Sequence, residues 1–189
     1  MDDRSESYEV LEKRINEIIS NFYFEQEPTS MPTPKEQDMV RAMIVLCHAE
    51  FEDYIEQIAR NLLEKGKEEW LSSNIANKNL AALFLETKPI ETNDSIETKA
   101  MKVISDYKHN IDGNHGIKQK DLKKLYKPLG YDMEIFDQAF LNELDSLGSQ
   151  RGEVAHSSSS RTKKILDFNT EKEKIVRILN EIREFQDTL

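Results

Sequence analysis

The chain has 189 residues, a formal net charge of -10, 33% charged residues and 38% hydrophobic ones. That length favours one domain, 1–189, with a core large enough to be stable without covalent staples, and six glycines and five prolines beside abundant Glu, Lys, Leu and Ile point to helices. The acidic balance disfavours a surface that wraps polyanions as a whole, because phosphate attraction supplies most sequence-independent affinity; any such contact must be local.

In chain order, Tyr8, Leu11, Ile15, Ile18 and Phe22 recur every three or four residues between charged neighbours, an amphipathic first helix within a 1–30 segment of helix and loop. The prolines at 28 and 32 mark the loop. Thr33-Pro34-Lys35-Glu36 then supplies a capping hydroxyl, a proline at the first helical position and a reciprocal glutamate, so a long central helix is expected over 33–66. Its apolar face carries Val40, Ile44, Cys47, Phe51, Tyr54, Ile58 and Leu62, and Gly66 is the expected stop. Trp70, Leu71 and the run 75–85 suggest one or two shorter helices, followed by a loop over 89–94. Another helix should start near Asp94 or Ser95, with Ile96, Met101, Val103, Ile104 and Tyr107 turned inward. Closely spaced Asn, Asp and Gly make 109–116 an expected irregular segment. A short helix over 120–126 precedes the turn Pro128-Leu129-Gly130. Asp132 is the expected cap of a helix that carries Ile135, Phe136, Phe140, Leu144 and Leu147, and Gly148 is expected to interrupt it. Thr170 and Glu173 form a capping box for a terminal helix, 170–189, built on Ile175, Ile178, Leu179, Ile182 and Phe185. No internal repeat is evident.

The chemistry concentrates after the helix around 140, where the chain reads Arg151-Gly152-Glu153-Val154-Ala155-His156. A guanidinium grips a phosphate with two parallel hydrogen bonds, and an imidazole moves a proton near neutral pH, so the pair holds the minimal equipment for cleaving an RNA backbone. Taken without context, the plainer reading is structural: Arg151 pairs with a carboxylate and His156 caps a helix or fills a pocket.

The context changes that balance. An Arg and a His at this spacing, placed after the apolar helix 135–147 in an all-helical chain whose second helix reads His48-Ala49-Glu50-Phe51-Glu52-Asp53-Tyr54, resemble the HEPN superfamily of helical endoribonucleases. Asn114-His115-Gly116-Ile117-Lys118 ahead of Pro128-Leu129-Gly130 is similar to its RiboL-PSP-HEPN branch. The resemblance implies an all-α, up-and-down bundle of about four or five helices with additional short ones. It also implies a homodimer in which two copies of the motif face one cleft, and metal-independent cleavage of RNA. By position, Arg151 holds the scissile phosphate and stabilises its developing charge, while His156 acts on the ribose hydroxyl or the leaving oxygen, giving a cyclic phosphate and a free 5' hydroxyl. One departure is that Ser157-Ser158-Ser159-Ser160 follows the motif, without the tyrosine that HEPN toxins neutralised by nucleotidylation carry there.

Helix geometry adds a constraint. Five residues rotate by about 140° and rise by about 7.5 Å, so one straight helix does not aim both side chains at one atom. Either Gly148 and Gly152 loosen the helix, or a twofold axis brings His156 of one subunit to Arg151 of the other. A monomer is then expected to be inactive. Glu153 could orient either residue through a charge-assisted hydrogen bond, or face solvent. Arg161, Lys163 and Lys164 are candidate RNA contacts, and Lys118, Lys120, Lys123, Lys124 and Lys127 form a second basic island best read as solvated surface.

Other constellations are weaker. His109, Asp112 and His115 lack a fourth partner for a metal, and the Asn110, Asp112, Asn114 spacing lacks the glycine of a calcium loop, so neither metal nor cofactor is expected. His115 is expected to order its loop, and His48 to sit beside the core stripe. The single Cys47 agrees with a reducing compartment, and neither a secretion signal nor the roughly 20 apolar residues of a membrane span is present. The expected place is therefore the cytoplasm. Two functions compete: an endoribonuclease acting as a toxin or in anti-phage or stress defence, with a cognate antitoxin or defence partner, and a non-catalytic helical dimerisation module that binds a protein or RNA.

Overall fold

The computed structural model describes residues 3–25, 30–87, 93–156 and 165–189; the side chains of 3–5, 155 and 156 lie outside that description. Among the described residues every regular element is helical: α1 (Asp3–Asn21), α2 (Pro34–Ser73), α3 (Lys78–Glu86), α4 (Ile96–Asp112), α5 (Gln119–Tyr126), α6 (Gln138–His156) and α7 (Phe168–Thr188), with 3-10 turns at Lys127–Leu129 and Met133–Ile135. The all-α expectation holds. The chain forms two compact units, one from Met1–Asp53 with Phe136–Leu189 and one from Tyr54–Ile135. Parts of both expected loops, 28–29 and 89–92, fall outside the described residues.

In the first unit, α1 buries Tyr8, Leu11, Ile15 and Ile18 of the predicted stripe, while Phe22 falls in the turn after the helix and is only half-buried. The Tyr8 hydroxyl donates to the Leu179 carbonyl at 3.1 Å, and Arg14 pairs with Glu50 of α2 at 3.1 Å. α2 starts as expected: Thr33 N donates to Glu36 Oε2 at 2.6 Å, and Glu36 N donates back to Thr33 Oγ1 at 3.3 Å. The Thr33 amide, with the Thr33 hydroxyl donating to the same oxygen at 2.8 Å, holds the Glu36 carboxyl below its ordinary value. α6 and α7 run antiparallel, because Gln150 meets Glu171 while Glu143 meets Arg177. Gln37 of α2 exchanges two hydrogen bonds with Leu166, its Nε2 donating to the carbonyl at 2.7 Å and its Oε1 accepting from the amide at 2.9 Å. The starts of α2 and α7 and the end of α6 therefore share one end of this unit.

Several boundaries differ from the sequence expectation, each for a local reason. α2 does not stop at Gly66 but continues to Ser73, where Asn74 takes the left-handed conformation at φ 57°. Gly66 is a spacer instead: a Cβ there would stand 2.9 Å from Oδ1 of Asn77, the side chain that caps α3. α4 starts after its cap Ser95, as expected, yet stays helical through 109–112 and leaves only the part from Gly113 irregular. α6 is capped by Asp137, whose Oδ1 accepts from Ala139 and Phe140 amides at 2.8 and 3.2 Å, since Asp132 instead precedes a 3-10 turn. α7 is capped by Asp167 rather than by Thr170 and Glu173; the Asp167 carboxylate takes both the amide and the hydroxyl of Thr170 at 2.8 Å, making Thr170 a donor. Gly148 does not interrupt α6. A glycine inside a helix costs about 1 kcal/mol, less than the burial of Leu144 and Leu147 beside it contributes.

The second unit seats buried phenols on backbone carbonyls. The Tyr126 hydroxyl donates to the Ile55 carbonyl at 2.8 Å, and that of Tyr107 donates to the Leu125 carbonyl. Burial pushes both phenols above their ordinary value. Gly130 closes the turn after α5 at φ 84°, where a Cβ would also press to 2.8 Å from the Ala82 methyl.

Candidate functional site

The Arg151 to His156 motif occupies the last turns of α6. The helix is continuous there, so the geometry of a straight helix applies: the two positions lie about 140° apart around the axis and about 7.5 Å apart along it. Arg151 is half-buried, Gly152 has nothing within 4 Å of where a Cβ would stand, and Glu153 is exposed. His156 ends the helix, and its side chain lies outside the described residues, as do Arg161, Lys163, Lys164 and the four serines 157–160.

What holds this end of α6 is polar. Gln150, at 6% exposure, donates through Nε2 to Glu171 Oε1 at 2.8 Å and accepts through Oε1 from Lys174 Nζ at 2.7 Å. Lys174 Nζ also stands 2.5 Å from Glu171 Oε2, off the line of a well-aligned hydrogen bond, so that contact is ionic. Glu171 and Lys174, at 5% and 9% exposure, close the triad on the first turns of α7. Sequence reasoning passed over these three residues, although a signal existed. Extending the α7 stripe of Ile175 and Ile178 backwards by one turn lands on Glu171 and Lys174, and Gln150 lies three residues past Leu147 on α6. Polar residues at core register of two helices are the signature.

Nearby on α2, Arg41 follows Gln37 by one turn and is also buried; its Nη1 pairs with Asp38 at 3.1 Å, while its Nε has no hydrogen-bond partner. The acidic residues of α2 are engaged elsewhere: Glu50 with Arg14, and Glu52 with the buried His48 at 3.5 Å. Asp53 is exposed. Cys47 is fully buried, and burial, with the Glu50 charge adding, pushes its thiol up to about 12.

The other sequence candidates belong to the second unit. His109 Nδ1 lies 2.7 Å from the Ser105 carbonyl, Asp112 pairs with Arg60 at 2.5 Å and His115 is exposed. Among the described residues no group of three or more His, Cys, Asp or Glu is placed to hold a metal ion. The loop after α4 is ordered by Asn114 rather than by His115: its buried amide donates to Glu56 Oε1 at 2.8 Å and to the Gly116 carbonyl at 2.9 Å. Lys120, Lys123, Lys124 and Lys127 are exposed. No helix among the described residues is long and apolar enough to cross a membrane.

An all-helical chain that ends one core helix in Arg-x4-His has the form of a HEPN domain. The family comparison gives the narrower assignment: the RiboL-PSP-HEPN model matches residues 9–189, and the chain belongs to that family. Comparison with curated proteins and with solved structures gives no match.

Proposed function

We propose that this protein is a metal-independent endoribonuclease acting in the cytoplasm as a toxin or as part of anti-phage or stress defence. Arg151 binds the scissile phosphate through its guanidinium fork and stabilises the charge that builds on the non-bridging oxygens. His156 takes the proton of the ribose 2'-hydroxyl. The 2' oxygen attacks phosphorus, the bond from phosphorus to the 5' oxygen breaks, and the leaving oxygen acquires a proton. The products are a 2',3'-cyclic phosphate and a free 5' hydroxyl. Glu153 supports the pair by a charge-assisted hydrogen bond, and Arg161, Lys163 and Lys164 contact the RNA backbone.

The observation that carries this reading is the half-buried Arg151 on the last turns of α6 in a RiboL-PSP-HEPN chain. Because α6 runs through the motif without a break, the backbone positions 151 and 156 lie about 140° apart around its axis. The reading therefore takes a homodimer, with His156 of one subunit serving the phosphate held by Arg151 of the other.

Purified protein incubated with mixed RNA and a chelator tests this. Cleavage that persists with chelator, leaves cyclic phosphate ends and disappears in folded Arg151→Ala and His156→Ala supports the nuclease, and mixing the two variants restores activity if the cleft is shared. RNA left intact by the wild-type protein sinks the reading in favour of a non-catalytic dimerisation module. Full activity of a chain shown to be monomeric during turnover removes the shared cleft.

A further inference from the structure

We propose that the buried triad Gln150, Glu171 and Lys174 is a positioning device that fixes the axial and rotational setting of Arg151, an inference that rests on the nuclease reading for its catalytic consequence. Adhesion alone does not explain the triad. Apolar side chains of similar volume at these three positions would hold α6 against α7 at no desolvation cost, whereas burying a lysine and a glutamate is unfavourable unless each meets a partner.

What the polar ring adds is direction. The Gln150 amide gives one hydrogen bond to Glu171 and takes one from Lys174, so its plane and its two ends are both assigned. An apolar contact tolerates a small rotation or slide of one helix against another, but the ring is satisfied in one register only. That register passes directly to the motif. Gln150 is the last fully buried side chain described on α6; Arg151, Gly152 and Val154 are half-buried and Glu153 is exposed. Among the described side chains of α6 beyond Gln150 none is buried, and Gly152 has open space beside it. The far side of the ring is itself anchored, since Leu166, just before α7, is held by the paired hydrogen bonds of Gln37. The setting of Arg151 thus traces through Gln150 and α7 to the start of α2.

A charge-swap cycle read in two ways tests the device. Glu171→Gln leaves the Lys174 ammonium without its counter-charge, and Gln150→Glu sets two carboxylates against one ammonium. The double variant Gln150→Glu/Glu171→Gln restores one carboxylate, one amide and one ammonium, with a donor facing an acceptor in each of the three pairings. Glu171→Asp keeps the charge and withdraws it by one methylene, giving a milder variant where the others fail to fold.

The first readout needs no activity: amide hydrogen exchange of the 150–156 segment is expected to be about tenfold faster in the single variants and to return in the double. The second is single-turnover RNA cleavage with the affinity measured separately; the singles should lose about 100-fold in rate at nearly unchanged RNA affinity, with recovery in the double. Exchange and rate that stay at wild-type values in folded single variants overturn the proposal, as does a double variant no better than the singles. If the wild-type chain cuts no RNA, the nuclease reading fails by itself and the exchange cycle still decides whether the triad sets the turn that carries Arg151.

Discussion

Both units seat buried phenols on backbone carbonyls, but they differ in how they bury charge. In Tyr54–Ile135 the phenols of Tyr107 and Tyr126 sit inside the core, and each gives its hydrogen to a backbone carbonyl. In the other unit Tyr8 does the same, but the motif end also buries Lys174, Glu171 and Arg41 beside Gln150 and Gln37, whereas the buried carboxylate of the second unit, Asp121, sits at a helix start and accepts from the Lys118 amide. Each bond satisfies a buried phenol hydroxyl that would otherwise be stranded, a stability device. A buried charge contributes little net stability and restricts geometry, which is what the proposed role of Arg151 asks of this end of α6. The placement of Arg151 beside the charged set is what turns this contrast into a functional argument.

Four expectations sharpen or break it, beginning with the largest. Arg151→Ala and His156→Ala should each lower RNA cleavage by about 100- to 1,000-fold while Tyr126→Phe changes the rate less than about twofold; a Tyr126 effect as large as the motif's would erase the distinction between the units. For stability the order reverses. Tyr126→Phe deletes the buried hydrogen bond to the Ile55 carbonyl and should cost about 1–1.5 kcal/mol in denaturant unfolding, whereas Arg41→Met should stay within about 0.5 kcal/mol of wild type, because its Nε is already unpartnered and its partner Asp38 is exposed. A loss above about 2 kcal/mol in the arginine variant contradicts the view that these charges are not there for stability.

Smaller effects follow at the helix cap and the thiol. The Thr170 amide and hydroxyl hold the Asp167 carboxyl below its ordinary value. A depressed folded pKa means that the cap's contribution is fully present above the unfolded value, about 3.9, and fades as pH falls through the lower folded one. Asp167→Ala should cost about 1 kcal/mol at neutral pH and should flatten that part of the acid limb; an unchanged limb argues against the cap. Cys47, with its thiol pushed up to about 12, should resist a thiol reagent at pH 8 in the native state and react on unfolding. Rapid native labelling would mean that the core around α2 opens readily.

Much of this protein could be read from residue order. The amphipathic stripes of α1, α2 and α7 and the Thr33 to Glu36 capping box needed only local periodicity and side-chain reach, because helical hydrogen bonds and caps join residues a few positions apart. The position of the Arg151 to His156 spacing at the end of a helix was legible for the same reason. What local order could not settle was decided by distant partners. Gly66 and Gly148 carry the mark of helix breakers, yet Asn77 and the packed core around Leu144 and Leu147 keep the helices running through them. The caps at Asp137 and Asp167 competed with equally plausible neighbours. The triad of Gln150, Glu171 and Lys174 became visible only when α6 and α7 came together antiparallel, since its energy lies in pairings 21 and 24 residues apart that no window of local sequence contains.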